Sequence, residues 1–278
     1  MNEILEKKLL GPQINLIKLE VPHIAKKAKP GQFVILRTHD KGERIPMSIA
    51  DLDAQNGILT IIFQEVGKST AELATFKKGD HLADVIGPLG KPTPVENFGT
   101  SVCVGGGIGI APIYPIAKAL KTCGNKVISI IGARSKELLF MEEEMKKTSE
   151  KLFVTTDDGS YGIHGLVSEP LSEMLKNKQK IGFVMAIGPV PMMRAVCSVT
   201  KPYGVKTMVS LNPIMIDGTG MCGVCRVSVG GETKFACVDG PDFDGHQVDF
   251  EELSRRLKMF VKDEKIAMDK YLSIMGKK

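Results

Sequence analysis

Val104-Gly105-Gly106-Gly107-Ile108-Gly109-Ile110-Ala111-Pro112 is the stretch on which the reading of this chain turns. Its four glycines separate a short apolar run, Val102 to Val104, from a helix-like run, Ala111 to Leu120. A strand, a glycine turn and a helix in that order present backbone N–H groups to a pyrophosphate. Glycine is needed because it lets the main chain turn sharply and approach a ligand closely. Alone, such a cluster reads equally well as a tight turn. Its position adds weight, because the sequence before it and the sequence after it have different periods.

After the glycines, short apolar strands alternate with helical patterns. The strands are Ser101 to Val104, Lys126 to Ile131, Leu152 to Thr155, Gly182 to Ile187 and Val205 to Ser210. The helical patterns are Ala111 to Lys121, Lys136 to Lys147, Gly165 to Lys176 and Pro191 to Thr200. This alternation predicts a parallel sheet with right-handed crossovers, binding its ligand beyond the carboxyl ends of the strands. The loops there are Gly105 to Gly109, Gly132 to Ser135, Thr156 to Gly162 and Gly188 to Met192. Before the glycines the chain reads as strands, at Gln13 to Val21, Gln32 to Thr38 and Ile58 to Val66, with one helix at Ser69 to Phe76. Closely spaced short strands predict a small antiparallel barrel.

Two barrel segments carry chemistry. In Arg44-Ile45-Pro46-Met47-Ser48 a guanidinium suits a phosphate and a hydroxyl suits a polar ring. In Gly67-Lys68-Ser69-Thr70 a glycine turn enters a helix N-terminus, a second anion site. Taken singly, they are also a surface Arg and an ordinary helix cap.

The tail contains Asp217, Cys222, Cys225 and Cys237, spaced Asp-x4-Cys-x2-Cys-x11-Cys. With Cys in place of Asp217 this spacing approaches a plant-type [2Fe-2S] loop, and Gly218, Gly220 and Gly223 let the backbone wrap an inorganic core. Structural zinc, with Cys197 or His246 as fourth ligand, and plain buried cysteines are the rivals. Cys103, Cys123 and Cys197 lie on strand or helix patterns and read as core. No two of the five histidines have metal-ligand spacing. Val248 to Met275 reads as amphipathic helix, packing on the body or docking a partner.

With 278 residues the chain is long enough for two domains, and six cysteines at this length make no disulfide scaffold. The net charge of +5 is dispersed, and Gly276-Lys277-Lys278 is too short for a nucleic-acid arm. The N-terminus lacks signal-peptide character and no apolar run approaches a membrane span, so a cytoplasmic protein is expected, with neither nucleic acid nor membrane as partner.

Arg44-x-Pro46-x-Ser48, Gly67-x-Ser69-Thr70, Gly105-Gly106-Gly107-x-Gly109-x-Ala111-Pro112 and Gly188-Pro189 occur in the order seen in the ferredoxin–NADP reductase superfamily, which residues 1–210 resemble. The resemblance implies an antiparallel Greek-key FAD-binding β barrel (residues 1–98) and a parallel-sheet α/β domain for a nicotinamide nucleotide (99–212). A [2Fe-2S] tail with helices (213–278) completes the expected division. It implies that Arg44, Pro46, Met47 and Ser48 lie along the flavin and its pyrophosphate, and that Gly67, Lys68, Ser69 and Thr70 serve the rest of the FAD. Gly107, Ile108 and Gly109, with Gly188 and Pro189, would face the nucleotide, joined by Arg134 and Asp157. Ile187 stands where close relatives often have Cys, so a thiol beside the nicotinamide is missing.

The tail resembles those of dihydroorotate dehydrogenase electron-transfer subunits, which have four cysteines here. It resembles more closely the small subunits of NADH-dependent reduced ferredoxin:NADP oxidoreductases, also called sulfide dehydrogenase subunit beta, where an Asp and three Cys hold the cluster. That resemblance implies electron transfer between NAD(H), FAD and [2Fe-2S], and a larger flavin or iron–sulfur subunit as partner. It also implies coupling to ferredoxin by electron bifurcation. Arg134-Ser135 by themselves favour NADP(H); the resemblance favours NAD(H). A zinc-stapled regulator and a stand-alone reductase are the other readings.

Overall fold

Alternating apolar residues before Gly90 build two antiparallel sheets. The strands are β1 (Ile4–Gly11), β2 (Ile14–Glu20), β3 (Phe33–Arg37), β4 (Ile45–Ser48), β5 (Asp51–Asp53), β6 (Ile58–Gln64) and β7 (Asp84–Leu89). Short helices α1 (Pro22–Ala25) and α2 (Lys68–Leu73) lie between them. One sheet has the order β1-β2-β6-β5 and the other β4-β3-β7. They close into a barrel through a Glu3–His81 bridge on one side and an Ala50 N–H to Thr60 carbonyl bond on the other. This computed structural model describes residues 2–276. Met1 and the Lys277-Lys278 end considered above lie outside them. β1 was not among the expected strands; it pairs along most of its length with β2.

The period-2 pattern of β4 decides what its residues can do. Ile45 and Met47 point into the barrel core with Val34 and Leu36, whereas Arg44, Pro46 and Ser48 are exposed. Across the outer face Pro46 pairs with Ile35 and Ser48 with Phe33. Phe33 and Ile35 are almost fully buried, although they face away from the barrel interior. They share a core with Cys225, Ala236 and Cys237 of the tail. Burying each such side chain contributes roughly 1.5–3 kcal/mol. The tail therefore covers β3 and leaves its neighbour β4 open.

The middle of the chain forms the predicted sheet. Its strands are β8 (Thr100–Gly106), β9 (Lys126–Ala133), β10 (Lys151–Thr156), β11 (Ile163–His164), β12 (Phe183–Ile187) and β13 (Lys206–Ser210). Helices α3 (Ile110–Thr122), α4 (Glu142–Thr148), α5 (Ser168–Lys176) and α6 (Val190–Thr200) cross between them. The helix expected at Lys136 to Lys147 is interrupted: a 3-10 turn at Lys136–Leu138 is separated from α4 by Met141 in a left-handed conformation (φ 57°).

The tail forms a hairpin, β14 (Arg226–Val229) with β15 (Glu232–Phe235), then β16 (Asp242–Asp244), which pairs antiparallel with β13. The complete order is β11-β10-β9-β8-β12-β13-β16. The single helix expected at Val248 to Met275 is two, α7 (Phe250–Arg256) and α8 (Val261–Ile274). The first packs on α6 and β14; the second reaches α2 of the barrel. Where tail, barrel and linker meet, Thr93 Oγ1 donates to Asp242 Oδ2 at 2.5 Å. A Cβ at Gly31 would lie 2.0 Å from Thr93 Oγ1, so this close joint requires glycine. Asp242 Oδ1 is buried without a hydrogen-bond partner, and burial pushes the carboxyl up to about 6. Among the described residues no helix is long and apolar enough to cross a membrane.

Candidate functional site

The sheet order reverses between β8 and β12. The chain runs from β8 through β9 to β10 on one side, then returns to place β12 and β13 on the other. Such a switch point opens a crevice at the carboxyl ends of the two strands. The loops there are Gly105 to Gly109 and Gly188-Pro189, and they touch. A Cβ on Gly109 would lie 2.1 Å from the Ile187 carbonyl oxygen, and one on Gly188 3.0 Å from the Gly106 oxygen. Gly107 differs: its φ is +53° and nothing lies within 4 Å of an added Cβ. Space above Gly107 and close contact beneath Gly109 make an open cradle at the mouth of the crevice. Ile187 is buried, so the position where a thiol was missed forms the wall of this cradle.

Beyond β9 and β10, the Asp157 and Asp158 N–H groups donate to the Ala133 and Arg134 carbonyls. The Arg134 and Asp157 side chains are exposed at this rim. Lys136 sits over the Tyr161 ring at 5.2 Å. The Ser160 N–H and hydroxyl hold the Asp158 carboxyl below the usual carboxylate range.

On the barrel, Arg44, Pro46 and Ser48 form one open face, while the Met47 side chain is turned away from it. Met47 can therefore serve a flavin only through its backbone, a consequence of the alternation already present in the sequence. A cleft of about 370 Å³ beside this face is lined by Ile35, Arg37, Gly42, Arg44, Asp84 and Ile86. At α2, Gly67 has open space where a Cβ would stand. Thr70 Oγ1 accepts from the Val66 and Gly67 N–H groups, at 3.0 and 3.1 Å. The Ser69 hydroxyl donates to Glu43, and Lys68 Nζ lies 3.4 Å from Glu72 Oε2. An incoming phosphate would compete with these two carboxylates. Another cleft, about 480 Å³, lies against the second half of α3, lined by Pro30, Leu52, Pro115 and Cys123 among others. It is remote from the glycine loop at the start of that helix.

In the tail, Gly218, Gly220 and Gly223 all have positive φ, which glycine alone adopts without strain. A Cβ on Gly218 would lie 2.7 Å from Ile35 Cδ1, which places the loop directly over β3. The Cys225 and Cys237 sulfurs are 3.1 Å apart and buried; Cys222 is exposed. Burial and the neighbouring Cys225 push the Cys237 thiol up to about 12, while the Val224 N–H draws the Cys222 thiol down. Asp217 Oδ2 accepts from the Thr219 hydroxyl and N–H and from the Met221 N–H. These donors hold its carboxyl below the usual range, with help from the Arg44 charge. Among the described residues no three His, Cys, Asp or Glu side chains converge on one metal position.

The donor chemistry nevertheless fits an iron–sulfur core. Asp217, with Oδ1 unbonded, Cys222 and Cys225 stand on one glycine-bent loop, and Cys237 follows the β14–β15 hairpin, which returns its sulfur to Cys225. A metal bound there would deprotonate the Cys237 thiol that burial otherwise keeps neutral. The alternative zinc ligands stand elsewhere: His246 Nε2 is 2.9 Å from Thr200 Oγ1, and Cys197 is buried on α6.

Residues 212–249 match the family described as the iron-sulfur cluster binding domain of dihydroorotate dehydrogenase B, and residues 103–198 match the oxidoreductase NAD-binding domain. Crevice, open barrel strand and cysteine loop in one chain thus define an electron-transferring oxidoreductase subunit. The dihydroorotate dehydrogenase B (NAD(+)) electron transfer subunit homolog of Thermotoga maritima is 46% identical over 276 residues, 99% of this chain and 97% of the relative. The chain belongs to the family of dihydroorotate dehydrogenase B electron transfer subunits and their homologs. The electron transfer subunit of that enzyme from Fusobacterium nucleatum is 36% identical, over 80% of this chain and 87% of the relative. A chain of the NADH-dependent reduced ferredoxin-NADP oxidoreductase, a structure solved in a study of flavin-based electron bifurcation, has a TM-score of 0.93. It is 45% identical to this chain, over 98% of each.

Proposed function

We propose that this chain moves electrons between NAD(H), FAD and a [2Fe-2S] cluster, as the smaller subunit of an electron-bifurcating ferredoxin:NADP oxidoreductase. A larger subunit with its own flavin or clusters is its partner, and ferredoxin is reached through that complex. The observation that carries this reading is the pairing of β4 with β3. The open face of β4 suits a flavin, and the cysteine loop rests on β3, about 4.8 Å away across the ladder. FAD, when bound, takes up hydride and releases single electrons, and the cluster carries one at a time.

In this reading Arg44 pairs with a flavin phosphate, Pro46 and Ser48 flank the ring system, and the Met47 backbone completes that edge. Gly67, Lys68, Ser69 and Thr70 hold the remainder, once phosphate displaces Glu43 and Glu72. Gly107, Ile108 and Gly109, with Gly188 and Pro189, orient the nicotinamide half, while Arg134 and Asp157 stand at the adenosine end. Asp217, Cys222, Cys225 and Cys237 hold the cluster. The three units are residues 1–98, 99–212 and 213–278, and the working compartment is the cytoplasm. NAD(H) is the assigned nucleotide, since the relatives' name specifies NAD(+); NADP(H) is the alternative that Arg134 would serve. The same relatives favour a second reading, in which the partner oxidises dihydroorotate. Asp217, where that group was expected to have Cys, speaks against it.

The visible spectrum of the purified protein tests the proposal. Flavin bands with broad iron–sulfur absorption that bleach on adding NADH are expected. A colourless protein containing zinc would overturn the proposal, and the larger subunit that co-purifies separates the two complexes.

A further inference from the structure

Arg256 is the last residue of α7, and its Nη2 donates to the Val224 carbonyl at 3.0 Å. Val224 lies between Cys222 and Cys225, in the middle of the two-cysteine knuckle. The knuckle is thus held at its middle residue by the guanidinium. Arg256 Nε is buried and has no hydrogen-bond partner. Among the described residues the side chain forms no ion pair. A half-buried guanidinium normally finds a carboxylate, because an uncompensated charge is costly to desolvate.

The helix that presents Arg256 is firmly seated. The Asp249 carboxylate caps it by accepting from the Glu251 and Glu252 N–H groups, and Phe250 and Leu253 are buried. Arg194 and Glu251 tie it to α6 at 3.0 Å. The cation is therefore fixed at the loop and does not wave in solvent.

We infer that Arg256 is a positioning residue for the iron–sulfur centre. It pins the Cys222–Cys225 knuckle through Val224 and keeps an unneutralised positive charge there, which favours the reduced cluster. Net charge and hydrogen bonding around a cluster set its potential, and groups behind the ligands orient them. The inference rests on the cluster assignment proposed above.

The test is a redox titration of the full-length protein followed by low-temperature EPR, on wild type, Arg256→Gln, Arg256→Met and Arg256→Lys, with iron and flavin content measured for each. The neutral variants should shift the cluster midpoint to more negative potential, and Lys should restore it towards wild type. If both neutral variants lose iron while Lys keeps it, the charge at this place is again what the loop requires. Unchanged midpoints in Gln and Met would overturn the inference. So would a Lys variant that shifts, or loses iron, as far as the neutral ones. If wild type itself carries no iron, the cluster assignment fails, and the measurement says so before any variant is compared.

Discussion

Asp242→Asn perturbs the joint between tail, linker and barrel, and its effect should depend on pH in a calculable way. The Asp242 carboxyl is largely buried and accepts the Thr93 hydroxyl, but burial outweighs that bond and raises it from an ordinary 3.8 to about 6. A folded-state value above the unfolded one means the native state holds the proton more tightly. Its contribution to stability is therefore fully present below the unfolded value and is lost as pH rises through the folded one. The rise is worth about 3 kcal/mol by the time pH 7 is reached. Asn has no such dependence, and the cost of burying its amide is the same at every pH. Urea unfolding followed by circular dichroism, on both proteins from about pH 4 to pH 8, isolates this difference. The stability of wild type relative to Asn should fall by about 2.5 kcal/mol across that range, mostly on the acid side of neutrality. A difference that stays flat would refute the reasoning and mean that Asp242 remains ionised, solvated by water within the joint.

Gly109→Ala forces a Cβ to within 2.1 Å of the Ile187 oxygen. It should cost roughly 1–3 kcal/mol and abolish NADH-dependent flavin reduction while FAD stays bound; Gly107→Ala, strained only through its φ, should cost about 1 kcal/mol. Arg44→Ala should weaken FAD retention by roughly 1.5–3 kcal/mol, read as flavin lost on dilution; full retention would make Arg44 a mere surface charge. Asp217→Ala should lose or loosen the cluster and Asp217→Cys should keep it at a changed potential, both read by iron content and EPR. An unchanged Ala variant would leave Asp217 only its turn-capping bonds to Thr219 and Met221.

The parallel sheet was legible because its strands are continuous apolar runs, buried on both faces and punctuated by glycine loops. The iron–sulfur domain was legible because the spacing of its cysteines is a local property. What escaped depends on distant partners. Asp242-Phe243-Asp244 has no periodicity that marks a strand; it becomes one only because β13 offers an unpaired edge. Nothing around Arg256 says which loop it will meet, since Val224 is 32 residues away. The break between α7 and α8 has no proline to mark it; the two helices separate because they serve different bodies. The inward direction of the Met47 side chain was also open to the sequence, because the Ile45/Met47 against Pro46/Ser48 alternation assigns it to the interior.

The antiparallel edge made by β16 has a consequence for how this chain can be taken apart. The nicotinamide sheet and the cysteine-bearing tail share a hydrogen-bond ladder, so neither is a detachable cassette. A chain ended after Asn212 would leave the β13 main-chain groups bare along Met208 to Ser210 and offer them to any passing strand. Such a fragment is expected to self-associate, and a graft that carries the cysteines must bring Asp242 to Asp244 with them. The short, polar β16 is thus also a seal, one that protects the sheet from pairing with copies of itself.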